Sequence, residues 1–180
     1  MPPFYSHLKI HTMACEALEG IELGCERNSG GLHQILVGDM ADISAQTVSL
    51  PTWKITAMTV DNEPIEIAVK RKTSNYVEDE QNDFVNGSVV VTATITAMLH
   101  RRDADKSRKL NILGAGQRYL YAICKDANGL YWFFPNVQLQ SVGEGSGQER
   151  ADGSKYSVVL VGENDQLAYE IESAVVAGLF

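Results

Sequence analysis

The chain has 180 residues, 44% of them hydrophobic, with 23 acidic against 15 basic side chains and a net charge of −8. A chain of that length favours a single domain that buries roughly 70% of its unfolded surface without a metal or disulfide staple. The acidity argues against a sequence-independent nucleic-acid binder, which needs a net basic face, though not against a protein that DNA must pass without sticking.

Residues 1–13 read as an N-terminal arm, because Pro2 and Pro3 discourage regular structure while Phe4, Tyr5 and Leu8 are apolar enough to dock. The opening MPPFYSHLKIHTMACEA has no basic stretch followed by an apolar core, so no secretory signal is expected. No apolar run approaches the length of a membrane span. Residues 14–180 read as one domain, beginning with a helical turn over Ala14 to Glu19 and a turn signal at Asn28 to Gly31. Leu32 to Val37 is a short predicted strand, and Asp42 to Pro51 reads as irregular. Trp53 to Val60 alternates as a strand does. Ile65, Ile67 and Val69 alternate with Glu66, Ala68 and Lys70 in the next.

Tyr76 to Asp83 places the acids Glu78, Asp79, Glu80 and Asp83 within eight residues. With strands on both sides, this run is expected to form the tip of a long hairpin covering about 64–100, reaching into solvent or toward a basic surface. From Val89 to Leu99 the side chains alternate strictly. Val89, Val91, Ala93, Ile95, Ala97 and Leu99 are expected to face the core, and Thr92, Thr94 and Thr96 the opposite side. The chain then turns basic at Arg101, Arg102, Lys106, Arg108 and Lys109. Asp103 is placed to cap a helix over about 103–113 that Gly114 and Gly116 stop. This basic segment complements the acidic run, but from Phe84 to His100 a strand spans roughly 50 Å, so the two meet more easily between subunits.

Tyr119 to Phe134 is an aromatic hairpin turning at Asp126-Ala127-Asn128-Gly129, with Leu130 to Phe134 expected to be buried on both faces or to lie in an interface. Val137 to Val142, Tyr156 to Val161 and Leu167 to Val175 are further predicted strands, separated by the Gly143 to Gly147 loop and by Gly162 to Gln166. The loop's GxGxG spacing lacks a following helix and a P-loop lysine, so it is no phosphate cradle. Eight or nine strands with one short flanking helix predict a mainly β fold, an antiparallel β-sandwich or barrel.

No chemistry stands out. Cys15, Cys25 and Cys124 are odd in number, form no CxxC and share no ligand spacing with His7, His11, His33 or His100, so reduced thiols and no zinc are expected. No acid pair or nucleophile has a catalytic setting, and neither an enzyme nor a cofactor is expected.

The second half resembles bacteriophage major tail tube proteins, and the first half, with Gly20-Ile21 to Cys25 and Asn28 to Gly31, resembles structural proteins of phages of Bacteroides-like hosts. The resemblance rests on the hairpin residues Asp126, Asn128, Gly129, Tyr131 and Trp132, the glycine-rich segment, and Tyr156, Gly162, Glu163, Ala168, Tyr169 and Glu170 in the closing strands. The apolar YWFFP run departs from that pattern, since many relatives have a glycine or polar loop there. The resemblance implies a β-sandwich or barrel with a flanking helix and a long hairpin. It also implies assembly of the chain with itself into hexameric rings that stack into a tail tube, contacts with other tail or connector proteins, DNA passing through the lumen without specific binding, and no membrane. Six chains at −8 would carry 6 × −8 = −48 per ring, which repels duplex DNA. On this reading Glu78, Asp79, Glu80, Asp83, Arg101, Arg102, Lys106, Arg108 and Lys109 are candidates for contacts between subunits. Thr92, Thr94, Thr96 and Glu66 are candidates for facing the lumen. A head–tail connector or tail terminator ring, or a carbohydrate-binding β-sandwich using Tyr131, Trp132 and Phe133 as a platform, are the alternatives.

Overall fold

A computed structural model describes residues 20, 21, 23–69, 72–149 and 151–180; the expected arm at 1–13, the turn at Ala14 to Glu19, Cys15 and Lys70 lie outside them. The fold is mainly β. Among the described residues ten strands run in chain order as β1 (Leu32–Asp39), β2 (Ile43–Ser49), β3 (Lys54–Val60), β4 (Ile65–Ile67), β5 (Asn75–Asp83), β6 (Ser88–His100), β7 (Leu120–Asp126), β8 (Tyr131–Gly143), β9 (Lys155–Asn164) and β10 (Tyr169–Ile171). Helix α1 (Ala104–Gly114) joins β6 to β7, and a short α2 (Ser173–Ala177) follows β10.

All ten strands belong to one open, curled sheet whose path divides at β8. One branch runs β2-β3-β10-β8-β7-β1-β4, and the other runs from β8 through β9 and β6 to β5. The division comes from a bend within β8. Its first half pairs with β7 and β10, with Trp132 opposite Cys124 and Phe133 opposite Tyr169. Its second half pairs with β9, from Val137 opposite Gly162 to Gly143 opposite Ser157. Between the halves, Pro135 offers no N–H to a ladder, Asn136 takes a positive φ of 53°, and the β7 register slips between Leu120 and Ala122. The sequence reads Pro135 as the end of a strand; the structure instead carries one strand through it. At Gly162 the two strands approach so closely that a Cβ would lie 3.0 Å from the Asn136 carbonyl oxygen and 2.9 Å from the Val137 side chain.

The curl creates two cores on opposite faces of β7, whose residues Leu120 to Cys124 are all buried. Leu120, Ala122 and Cys124 face a first core with Leu32, Ile35 and Val37 of β1, Phe134 and Val137 of β8, and Ala93, Ile95, Ala97, Val158 and Leu160 of the other branch. Tyr121 and Ile123 face a second core with Leu36, Ile55, Met58, Phe133, Ile171, Val176 and Leu179. Each fully buried aliphatic or aromatic side chain contributes about 1.5–3 kcal/mol. Burial in the first core pushes the Cys124 thiol well above the ordinary thiol range, which leaves it unreactive.

Several sequence expectations change. Ile43–Ser49, read as irregular, is β2, paired antiparallel with β3. The expected last strand over Leu167 to Val175 is only β10 followed by α2, whose Val176, with Leu179 just beyond it, closes the second core. The short β10 pairs in parallel with β3, the one parallel pair among the described strands. Leu179 is buried as a docked terminus requires, while Phe180 is exposed. Helix α1 forms where expected. The Asp103 carboxylate accepts from the Lys106 N–H at 2.8 Å, and this capping bond, followed by the Lys106 ammonium, holds that carboxyl below its ordinary range. Leu110 and Leu113 anchor the helix to the first core, and Ile112 is left about half exposed.

Candidate assembly surface

The tip of the β5–β6 hairpin projects from the body. The strands pair from Asn75 opposite Thr96 to Asp83 opposite Ser88. On its other side β6 pairs with β9 only as far as Val91 opposite Asn164. Beyond that point three residue pairs and the Phe84–Gly87 turn project alone, roughly 10 Å of ribbon before the turn. The turn is built by Asp83, whose side chain accepts from the backbone N–H groups of Val85 at 2.9 Å and Asn86 at 3.2 Å and from the Asn86 amide. The Asn86 side chain and then these N–H groups lower the Asp83 pKa. Gly87 supplies the positive φ of 67° that the return requires. Above this scaffold Phe84 is 94% exposed and Val85 92%, with Val89 and Val90 beside them at 40% and 41%. A lone two-stranded ribbon is marginal in water, and at its turn Phe84 and Val85 leave two apolar side chains almost wholly in solvent.

This corrects the place of the acidic run. Glu78, Asp79 and Glu80 are not the tip but the outgoing strand, with the tip four residues further on, and the hairpin runs over 75–96 rather than from about 64, because Ile65–Ile67 pairs with β1 instead. Glu78 is further removed from any partner. Its half-buried carboxylate accepts from the Ala168 N–H at 2.7 Å, tying β5 to the segment before β10, and desolvation raises its pKa against the lowering effect of that bond. Asp79 and Glu80 stay exposed, and among the described residues their side chains accept only from Gln81 and Asn82 two residues along.

The basic segment lies at the other end of β6, and its charge is largely spent within its own chain. Lys106 pairs with Asp103 at 2.9 Å, while Arg108 and Lys109 pair with Asp105 at 3.0 and 2.7 Å. Arg102 lies over the Tyr156 ring at 4.5 Å and donates to the Glu144 carbonyl. Arg101 holds a positive φ of 60° at the corner where its N–H donates to the Ser154 carbonyl oxygen. No acid of the hairpin reaches these cations within the chain.

Thr92, Thr94 and Thr96 do share a face of β6, opposite Val91, Ala93, Ile95 and Ala97, which are buried. Cross-strand neighbours extend that face into three rungs: Asp79–Thr92–Glu163, Val77–Thr94–Val161 and Asn75–Thr96–Val159. The result is a half-exposed band of threonine and valine crossed at its outer end by an acidic rung. Glu66 is not part of it. It lies on β4, along a groove of about 1090 Å³ between β4 and α1. The aromatic residues weighed as a sugar platform are packed: Phe133 is buried in the second core, Tyr131 packs against that core, and Trp132 packs against the first and donates to Asp126 at 3.2 Å.

Sequence reasoning did not single out Phe84 and Val85. The signal was present in the Asn86-Gly87 pair, a turn dipeptide placed directly after two apolar residues. Among the described residues no three His, Cys, Asp or Glu side chains are grouped to hold a metal ion, and no helix is long and apolar enough to cross a membrane. No protein family, curated protein or solved structure matches the chain.

Proposed function

We propose that the chain is a structural subunit that binds copies of itself, forming rings that stack into a bacteriophage tail tube through which DNA passes. The observation that carries this reading is the projecting β5–β6 ribbon, which presents Phe84 and Val85 almost wholly to solvent. A head-to-tail contact of this kind joins one patch to a different patch on the next copy, and such contacts close into rings or continue as filaments. The threonine–valine face of β6 and β9 is the surface suited to a lumen, since it offers duplex DNA no cation within its rungs and an acidic rung that repels phosphate. The tail part of this reading rests on the sequence resemblance; the self-association part rests on the hairpin.

Negative-stain electron microscopy of the purified protein across a concentration series, with sedimentation velocity in parallel, tests it. Hollow rings or striated tubes are the expected result. A single monomeric species at every concentration overturns the reading.

A further inference from the structure

Asparagine stands directly before glycine at two places in the chain, Asn86-Gly87 and Asn128-Gly129. In such a pair the main-chain nitrogen of the glycine can reach the carbonyl carbon of the asparagine side chain, because no Cβ on the glycine obstructs the approach. Both pairs lie in exposed turns, and both glycines have a positive φ, 67° at Gly87 and 91° at Gly129. They differ in what holds them.

Asn128 is held from across the fold. Its side-chain oxygen accepts from the Ser29 N–H at 2.7 Å and its amide donates to the Asn28 side chain at 3.3 Å. Its own N–H donates to the Asp126 carboxylate at 2.9 Å, and the Gly129 N–H donates to the Asp126 carbonyl oxygen at 3.2 Å. Asp126 is itself buried and accepts from the Trp132 indole. Freeing Asn128 therefore breaks contacts with the body. Asn86 is held by one neighbour. Its amide and N–H donate to the Asp83 carboxylate at 2.5 and 3.2 Å, and the Gly87 N–H donates to the Asp83 carbonyl oxygen at 2.8 Å. All three bonds sit on the ribbon that runs on alone past the last β6–β9 pair, Val91–Asn164. A ribbon end of this kind opens locally at far smaller cost than a turn tied into a core.

We infer that Asn86 is a site of spontaneous deamidation, restrained while Asp83 holds the turn closed. When the turn opens, the Gly87 nitrogen attacks Cγ of Asn86 and forms an N–Cγ bond. The Cγ–Nδ2 bond breaks, and ammonia leaves with the proton that the Gly87 nitrogen gives up. Water then opens the five-membered imide at either carbonyl. One product is aspartate; the other is isoaspartate, in which the main chain runs through the former side chain. Water is the sole co-reactant, and nothing is oxidised or reduced. Either product changes the turn. The Asp83 carboxylate, which accepts from the Asn86 amide at 2.5 Å, then faces a second carboxylate, and like charges at that range repel. Isoaspartate also lengthens the main chain and draws the Gly87 N–H away from the Asp83 carbonyl oxygen. The new charge stands beside Val85 and close to Phe84, so a tip seated between copies would have to desolvate it. That consequence for assembly rests on the self-association reading; the modification itself does not.

The test incubates the dilute full chain in mildly alkaline buffer, with a parallel sample in urea, and follows both Asn-Gly pairs by peptide mapping with mass spectrometry. In the folded chain Asn86 is expected to convert at least about tenfold faster than Asn128; in urea, where neither turn exists, the two rates should be comparable. Asp83→Ala is expected to raise the folded-state rate at Asn86 about fivefold or more, the equivalent of one net hydrogen bond, and to leave Asn128 unchanged. Equal rates at the two sites in the folded chain, or a folded chain in which Asn86 stays intact, overturn the inference. An Asp83→Ala chain that converts no faster overturns the restraint assigned to the Asp83 carboxylate. Aged protein is then compared with fresh protein by sedimentation, beside Asn86→Gln, whose larger ring closes far more slowly. Ageing is expected to raise the association threshold of the parent chain and not that of Asn86→Gln. Conversion at Asn86 with no change in threshold overturns the consequence for assembly. A chain that never associates overturns the proposed function and leaves the modification standing.

Discussion

Replacing Phe84 and Val85 together by serine separates assembly from folding. In the isolated chain both side chains are more than nine-tenths exposed, so their loss removes almost no buried area. The Asp83, Asn86 and Gly87 contacts that build the turn involve other groups and the backbone. The denaturant midpoint is therefore expected to move by no more than about 0.5 kcal/mol, the range of ordinary surface substitutions. In an assembly where the tip is seated, the same two side chains leave water. At about 1.5–3 kcal/mol for each buried side chain, truncating both costs about 3–6 kcal/mol per contact. At about 1.4 kcal/mol per tenfold, that corresponds to a weakening of roughly a hundredfold to ten-thousandfold. Sedimentation velocity over a concentration range, with electron microscopy at the top of it, reads the shift as a higher threshold for rings or tubes. Assembly at the unchanged threshold by a variant that folds normally would remove the hairpin tip from the interface and with it the principal support for the proposed function.

Three further outcomes follow from packing and charge. Gly38→Ala places a Cβ onto the Tyr121 ring, which is wholly buried and packed against Phe133; a loss of about 1–3 kcal/mol is expected in urea unfolding, and unchanged stability would show that the second core is looser than described. Asp103→Ala removes the α1 cap and the Lys106 pair, and a lower urea midpoint is expected with their loss. Glu78→Gln keeps an acceptor for the Ala168 N–H but removes a charge that burial disfavours. Because the folded pKa of Glu78 is raised, the native state binds the proton more tightly. Its contribution is present below the ordinary carboxylate pKa and is lost as pH rises through the raised value. Stability measured from pH 4 to 7 should decline less with rising pH in Glu78→Gln than in the parent chain, while Glu78→Ala, which leaves the Ala168 N–H without its acceptor, should be less stable at every pH in that window. Equal pH slopes in the parent and Glu78→Gln would show that Glu78 is not the titrating group.

What the sequence disclosed follows from which interactions are local. The core face of β6 was readable from Val91 to Ala97, because alternation of Val, Ala and Ile with Thr depends only on the strand's own period, whereas Val89, expected on that face, is exposed because it lies on the projecting end beyond β9. So was α1, whose Asp103 cap and glycine stop are contained within the helix and its flanks. The continuity of β8 through Pro135 was not, since a proline reads locally as a strand end and only pairing with β9, a distant segment, carries the strand past it. The same holds for β2, whose polar ISAQTVS run is held by β3 rather than by its own pattern. At the candidate site, composition located the acidic run but misjudged its role. Four acids read as a solvated tip, whereas Glu78 is drawn inward by a backbone N–H ninety residues away, a partner that no local pattern reveals.

The ladder joining β6 to β9 also has a mechanical meaning. A load applied to the hairpin along its axis enters the body through β6, which is held by β9 over ten successive residue pairs from Val91–Asn164 to His100–Lys155. Because the pull runs parallel to the strands, it shears all those pairs at once instead of unzipping them singly. Strand β9 hands the load to the second half of β8, and the continuous backbone at Pro135 and Asn136 delivers it to β7 and β10. Tension on the projecting turn is thereby carried into both cores along a single line of covalent and hydrogen-bonded rungs, so the hairpin behaves as a tether anchored through the depth of the domain.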